Sequence, residues 1–264
     1  MSWVAEHKSL IVVALFLAFS LWEVLAPVCK PTRPLIGRWA SNVSLYILNS
    51  GLSSGLHLLP ALLLAGWAEV AQQGLLNIVD VPPWLTWPVA IVVLDLAQYL
   101  FHRAMHRFTW LWRFHQIHHS DVDVDLTTSF RFHPVETLLW AAFHLSLVLV
   151  LGIPTDAILL YWLLVNVSNF FGHGNVLLPE PVDRMLLTLL ITPSAHRLHH
   201  SVDYAASNSN FGNIFVLWDK WLKTYVYPAG EGQKGRLYGL AEFRHGRRMF
   251  VPWLLAVPFQ RPAA

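Results

Sequence analysis

The chain has 264 residues, enough for one large domain or two small ones, and 55% of them are apolar while only 13% are charged. That balance is typical of a membrane protein, and a net charge of +2 gives no indication of a nucleic-acid partner. The single cysteine, Cys29, excludes an intramolecular disulfide and a cysteine-rich metal site, so any metal must be bound through nitrogen and oxygen.

Five apolar stretches predict membrane helices, because a helix that spans a bilayer needs ~20 mostly apolar residues. The first is interpreted as a retained helix rather than a signal peptide, since Lys8 near Glu6 makes a poor basic leader and no small-residue cleavage site follows. A basic loop, 28–41, is expected after it. The five stretches are 9–27, 43–68, 84–101, 135–152 and 155–172.

The distribution of lysine and arginine predicts the orientation. Basic residues occur in 28–41, 102–134 and 173–264, and they are absent from 69–83 and 152–155. Five crossings with an outside N-terminus place every basic segment in the cytoplasm, as the positive-inside rule requires. The number of crossings would be smaller if the second stretch formed a re-entrant hairpin, or if the stretches 135–152 and 155–172 entered the membrane without crossing it fully. We therefore expect an all-α, multi-pass protein with about four to five transmembrane helices and a cytoplasmic helical cap, in a bacterial inner membrane or the endoplasmic reticulum.

Three histidine clusters lie in the segments assigned to the cytoplasm. One reads H-x-x-x-H and two read H-x-x-H-H, so on a helix each cluster projects from one face. Imidazole binds zinc, copper, iron and nickel, and eight rings exceed the about four ligands of a single zinc ion. The spacing therefore predicts a site for two metals, and a set of eight or nine ligands suits two irons. The clusters are His102 and His106; His115, His118 and His119; and His196, His199 and His200.

A ninth ligand is predicted where the fifth apolar stretch ends. His173 follows Asn169 by four residues, and the asparagine is a weaker candidate that would bind through water. Metal-bound histidines are commonly oriented by a carboxylate, and Asp95, Asp121 and Asp203 lie close to the clusters in sequence. The alternative for each carboxylate is a helix cap or a solvated loop residue, and for Asp95 the orienting role is preferred.

Three further histidines have local interpretations. His133 precedes Pro134 and Glu136, so it starts a helix, lines the site or pairs with the glutamate. His57 and His144 lie inside apolar stretches, where an ionisable side chain is functional by default. For these two, packing or a hydrogen bond is the preferred interpretation.

Four strings accompany the histidine clusters: Asp95-x-x-x-Tyr99-x-x-His102-Arg103, His133-Pro134-Val135-Glu136, Asn210-Phe211-Gly212-Asn213 and Trp218-Asp219. Together with the clusters they resemble the fatty acid hydroxylase / sterol desaturase superfamily of integral-membrane, non-haem di-iron enzymes. The resemblance covers roughly residues 85–228. Lys223 departs from it, because the pattern has a glycine at that position.

The resemblance implies an enzyme that uses O2 to hydroxylate or desaturate a C–H bond of a lipid drawn from the bilayer, such as a sterol or a fatty acyl chain. Its cofactor would be two Fe ions bound by the nine histidines, although zinc can replace iron in a purified sample. Because no flavin, haem or iron–sulfur motif is visible, the electrons would come from a separate reductase, cytochrome b5 or ferredoxin. The expected segments are 1–83 (membrane helices and basic loop), 84–228 (catalytic) and 229–264 (tail).

Three alternatives are weighed against this hypothesis. A zinc-dependent membrane hydrolase would favour a glutamate inside the first cluster, where Arg103, Ala104 and Met105 stand instead. A haem protein would need histidines on facing membrane helices, for which His57 and His144 are the candidates. A metal transporter without oxygenase activity is disfavoured because the clusters lie outside the apolar stretches.

Overall fold

The computed structural model describes residues 2–79, 81–228, 236–244 and 250–260, and within these ranges its regular elements are helices. Contacts of the β type are limited there to three isolated bridges. The all-α class is therefore confirmed. The helices are α1 (Ser2–Leu25), α2 (Leu35–Ser53), α3 (Leu59–Val70), α4 (Leu75–Ile78), α5 (Pro83–Arg107), α6 (Thr109–His119), α7 (Pro134–Leu151), α8 (Thr155–His173), α9 (Glu180–Leu186), α10 (Pro193–His199), α11 (Tyr204–Ser207), α12 (Leu217–Trp221) and α13 (Val251–Ala256).

Helices α2 and α3 form one continuous run, because a π-helical turn, Ser54–Leu58, joins them. The prediction of a basic loop over 28–41 is wrong beyond Pro34, which is the N-cap of α2 with φ −56°. Proline suits that position, since its fixed φ matches a helix start and its missing N–H is not needed there. Helix α2 thus begins before the apolar stretch 43–68, and its first turns belong to the cap.

Within the described ranges, three helical runs are long and apolar enough to cross a membrane by length and composition: Leu35–Ile78, Trp84–Arg107 and Pro134–Leu151. Ser9–Leu25 is a shorter apolar helix. These findings support a membrane protein with a helical cap, while the number of crossings and the side of the cap stay predictions.

Small residues bring the long helices together. Ala61 and Ala65 of α3, Ala90 of α5 and Ala157 of α8 are fully buried in one apolar cluster. Without large side chains at these points the backbones approach closely, as in helix pairs within lipid. The Tyr161 hydroxyl donates to a carbonyl of α5 at 3.2 Å, which ties α8 to α5. Both helices therefore deliver their histidine-bearing ends to the same place.

Candidate metal centre

Four helices supply the histidines. The end of α5 carries the first cluster and α6 the second, and Phe108 alone separates the two helices. The last residue of α8 is His173, and α10 with its C-cap His200 carries the third cluster. All nine predicted histidines therefore lie in one region of the cap.

The nine rings form two groups. In each group, one ligand atom per residue lies within 4.8 Å of the others. In each H-x-x-H-H cluster the first and the last histidine belong to the same group, and the middle histidine belongs to the other group. Thus His115 and His119 are in one group and His118 is in the other, and His196 and His200 are together while His199 is apart from them. The helix repeat explains this, because residues i and i+4 project from nearly the same face. The five-histidine group is His102, His106, His115, His119 and His199, and the four-histidine group is His118, His173, His196 and His200.

The two groups touch each other. The ring centroids of His119 and His200 are 4.4 Å apart, and those of His196 and His199 are 5.5 Å apart. Seven of the nine residues are buried, and only His102 and His106 are half-buried. The five-histidine group is thus the more accessible half of one continuous centre.

Four rings are oriented by hydrogen bonds from their Nδ1 atoms. Each Nδ1 lies 2.7–2.8 Å from an oxygen that only accepts, so the nitrogen must carry the proton. In a neutral ring the Nε2 atom then keeps its lone pair for a metal. The pairs are His102 with the Phe211 carbonyl, His199 with the Ser209 carbonyl, His173 with the Asn169 carbonyl and His115 with the Glu136 carboxylate.

The facing Nε2 atoms fit a cation better than they fit each other. Those of His102 and His199 are 3.1 Å apart, and both carry lone pairs because both Nδ1 atoms donate to carbonyls. No hydrogen bond can join two lone pairs, so a cation between them would stabilise the two facing nitrogens. Two nitrogens about 2.0–2.1 Å from one metal, at octahedral to tetrahedral angles, would stand about 2.9–3.4 Å apart.

The remaining contacts agree with this fit. His173 Nε2 is 3.1 Å from His118 Nε2 and 2.9 Å from His196 Nε2. Buried ring nitrogens of His115, His118 and His200 have no hydrogen-bond partner among the described residues. Buried polar atoms are normally satisfied, and for His115 Nε2 a metal bond would satisfy it. A six-coordinate ion held by four or five nitrogens also keeps a position for an external ligand.

Burial keeps the rings neutral. It lowers the pKa of His199 to about 3 and that of His173 to about 4. Neighbouring imidazoles add to the effect of burial on four more rings of the cap, whose pKa lies well below the usual value: His118, His119, His196 and His200. Metal binding requires the neutral ring, so burial keeps these candidate ligands in the state that can bind a metal at neutral pH.

A buried ionic network fixes the end of the second cluster. Asp121 accepts from Arg38 at 3.0 Å and from Asn42 at 3.0 Å, both on α2. Arg131 binds the Asn42 side chain and the Ser120 hydroxyl. Burial raises the pKa of Asp121, but the Arg38 and Arg131 guanidiniums outweigh it and hold that pKa below its usual range. The network explains why α2 buries polar residues, and it anchors this helix to the cap.

The predicted orienting aspartates have other roles here. Asp95 accepts from two backbone N–H groups, of Ile214 and Phe215, and from the Trp218 indole. It thereby holds the loop that presents the Phe211 carbonyl. Asp203 is the N-cap of α11 and Asp121 belongs to the ionic network, and none of the hydrogen bonds given for the three aspartates reaches an imidazole of the nine histidines.

The hydrogen bonds of Asn169 and His133 are made with neighbouring residues of the protein. The Asn169 carbonyl accepts from His173, and its side-chain oxygen accepts from Asn213 at 2.9 Å. His133 is the N-cap of α7 and accepts from the backbone N–H of Val135 through Nδ1. Its interpretation as a helix start describes this contact.

Several functional groups were not identified from the sequence. Glu136 was considered as a partner of His133, whereas its carboxylate binds His115. The carbonyls of Phe211 and Ser209 carry no signal in a side-chain pattern. Lys223, the departure from the family pattern, has φ +60°, a left-handed conformation that suits glycine.

The two histidines inside the apolar stretches bond each other. His57 lies on the π-helical turn, and its Nε2 is 2.9 Å from Nδ1 of His144 on α7. Two axial histidines of a haem would lie on opposite sides of the iron and would not bond each other directly. The contact between His57 and His144 therefore gives no support for a haem or a metal between them. The hydrogen bond accounts for both polar rings.

The site geometry agrees with the comparison to known proteins. The sequence profile of the fatty acid hydroxylase family matches residues 87–224, just over half of the chain. The chain belongs to the fatty acid hydroxylase family. The resemblance inferred from the motifs is thereby confirmed.

Curated relatives carry related activities in their names. An ornithine lipid hydroxylase of Rhizobium tropici is 31% identical over 184 residues, which are 62% of this chain and 54% of the relative. Human alkylglycerol monooxygenase is 31% identical, over 54% of this chain and 31% of the relative. A very-long-chain aldehyde decarbonylase of rice is 28% identical, over 60% and 26%. The chain thus spans about half or less of these relatives, and no solved structure matches it significantly.

Proposed function

We propose that the protein is a membrane-bound, non-haem di-iron oxygenase that acts on a C–H bond of a lipid. The observation that carries the proposal is the pair of adjacent histidine groups, of five and four rings, in a cap joined to apolar helices. Family membership and the lipid-directed relatives agree with it. Residues 84–228 would form the catalytic segment, flanked by the membrane segment 1–83 and the tail 229–264.

The nine histidines would be the metal ligands. When bound, two irons would supply the oxidising power to break an unactivated C–H bond with O2. In a hydroxylation, one oxygen atom enters the C–H bond and the other leaves as water, with two electrons and two protons consumed. The electrons would come from a separate reductase, cytochrome b5 or ferredoxin.

The surrounding residues would keep the ligands ready. The carbonyls of Phe211, Ser209 and Asn169 fix the proton on Nδ1 of their histidines, so Nε2 stays free to bind. Glu136 does the same for His115 and adds a negative charge that makes the ring a stronger ligand. Burial excludes water from the four-histidine group, which protects reactive species from side reactions.

Lipid analysis tests this proposal. Extracts of cells that express the protein would be compared by mass spectrometry with extracts of cells that express His118→Ala or carry an empty vector. A lipid that gains one oxygen atom only with the wild-type protein supports hydroxylation, and one that loses two hydrogen atoms supports desaturation. Identical lipid profiles under aerobic growth with an added reductase would contradict the proposal.

A further inference from the structure

The geometry points to a second site, a cavity on the back wall of the metal centre that binds the anionic headgroup of a lipid. This cavity of about 510 Å³ lies between the end of α1, the start of α2 and the segments 122–125 and 236–244. Its volume falls within the range of about 300–1,000 Å³ common for small-molecule sites. None of the nine histidines lines it, so it is separate from the metal centre. The inference goes beyond the proposed function and does not depend on it.

The cavity wall is positively charged. Five cationic side chains line it against three carboxylates, an excess of two positive charges. A concave wall with a net positive charge attracts an anionic ligand. The cations are Lys30, Arg38, Arg197, Arg236 and Arg244, and the carboxylates are Glu23, Asp123 and Asp125.

The carboxylates are already engaged in holding the wall together. Asp123 accepts three hydrogen bonds from Thr32 and Arg33. Glu23 accepts two backbone N–H groups, at 2.9 and 3.1 Å, and Asp125 is in an ion pair. These carboxylates therefore help to build the wall, and the lining keeps its excess of two positive charges.

Two cations retain unused donors. Arg38 contacts Asp121 and Asp125 through its terminal nitrogens, but its Nε–H is buried and has no partner in the described part of the chain. Lys30, at the rim, is exposed and forms no hydrogen bond or ion pair with a described residue. Lys30 is therefore the accessible cation that can donate to a phosphate or carboxylate oxygen in the cavity.

The surroundings indicate a lipid rather than a small free anion. Exposed apolar residues follow one face of α1, three or four positions apart, and this stripe ends at Val24 in the cavity wall: Leu10, Val13, Leu17, Leu21 and Val24. Leu35, in the wall, and Ile36, 86% exposed, continue the apolar surface at the start of α2. An amphiphile fits this arrangement, with its charged head in the cavity and its tail against the stripe.

The cavity also shares its wall with the metal centre. Arg197 stands between His196 and His199, and it donates to the carbonyls of Gly174 and Val176 at 2.7 and 3.0 Å. A headgroup held there would lie one layer of backbone behind the four-histidine group. A lipid bound at this site would therefore be held at a fixed depth beside the centre.

Lipid binding to the full chain in a neutral detergent tests the inference. Native mass spectrometry would compare the binding of phosphatidylglycerol with that of phosphatidylcholine. The proteins tested are wild type, Lys30→Gln, Leu35→Trp and the exposed control Lys223→Gln. Removing one cation near a lipid headgroup should weaken binding of the anionic lipid about fivefold. Leu35→Trp should block the mouth, and Lys223→Gln should match wild type.

Three results would overturn the inference. The first is equal affinity for the anionic and zwitterionic lipids. The second is a loss in Lys30→Gln no larger than in Lys223→Gln, with both variants showing the wild-type circular dichroism. The third is a rise in thermal midpoint with inorganic phosphate alone that equals the rise with phosphatidylglycerol, because it would assign the cavity to a free anion.

Discussion

Each imidazole of the centre uses its two nitrogens for two tasks. Where Nδ1 donates to an oxygen, as in His102 and His199, Nε2 is directed at the neighbouring rings. Three of the acceptors are backbone carbonyls, and only Glu136 is a side chain. The proton position is thus set by the fold at three rings and by one replaceable residue at the fourth.

Replacement of Glu136 tests that role. In Glu136→Leu, Nδ1 of His115 loses its acceptor, so metal affinity of the five-histidine group should fall about 10–100-fold. Glu136→Gln keeps an accepting oxygen and should recover part of the loss. Iron retained per chain during titration with a chelator measures the effect, with exposed Glu180→Gln as the control. Equal iron retention in Glu136→Leu and wild type would show that the carboxylate has no orienting role.

The depressed histidine pKa values predict a pH dependence of the metal-free protein. His173 and His199 have pKa values of about 4 and 3 when folded, against about 6.5 when unfolded. Below pH ~6.5 the unfolded chain therefore binds more protons, and the stability linked to the neutral rings is lost as the pH falls toward 4 and then 3. The thermal midpoint of the metal-free protein should drop between pH 7 and 5. A constant midpoint over that range would refute the pKa assignment.

At the scale of elements, helices position the side chains and one loop locks them. The i, i+4 spacing in α5, α6 and α10 sends pairs of rings to the same group, as the clusters alone suggested. The loop 211–215 is different: Asp95 and Asp219 hold its backbone N–H groups, and it returns the Phe211 carbonyl to His102. This loop joins residues about a hundred positions apart, a pairing that no local pattern can specify.

Gly212 makes this loop a testable element. A Cβ at Gly212 would lie 2.5 Å from the Phe215 carbonyl and 2.9 Å from Asp219, so the backbone must shift. Gly212→Ala should destabilise the protein by about 1–3 kcal/mol and reduce its iron content, because His102 would lose its partner. Gly37→Ala, with nothing within 4 Å of its Cβ, is the matched control. Thermal unfolding and iron analysis of the two variants test this prediction. Equal stability and equal iron content in both variants would rule out a role for the loop in positioning His102.

At the scale of the molecule, a membrane part and a polar cap are joined along one helix. The N-terminal half of α2 is buried against the cap through Arg38 and Asn42, while the run continues into the apolar part. Composition and hydropathy indicated the two parts, and the histidine spacing indicated two metals. They missed the extent of α2, because its buried polar residues look like a solvated loop until Asp121 is brought beside them. The division into five and four ligands likewise depends on how four helices meet.

The iron content of purified protein tests the central claim most directly. Wild type should hold about two irons per chain, since nine nitrogen ligands exceed the needs of one ion. His102→Ala and His199→Ala, 97 positions apart yet with ring nitrogens 3.1 Å apart, should lose iron alike. His57→Ala, whose ring bonds His144 instead, should keep both irons. A single zinc per chain in wild type, or full iron retention in only one of the first two variants, would contradict a shared di-iron centre.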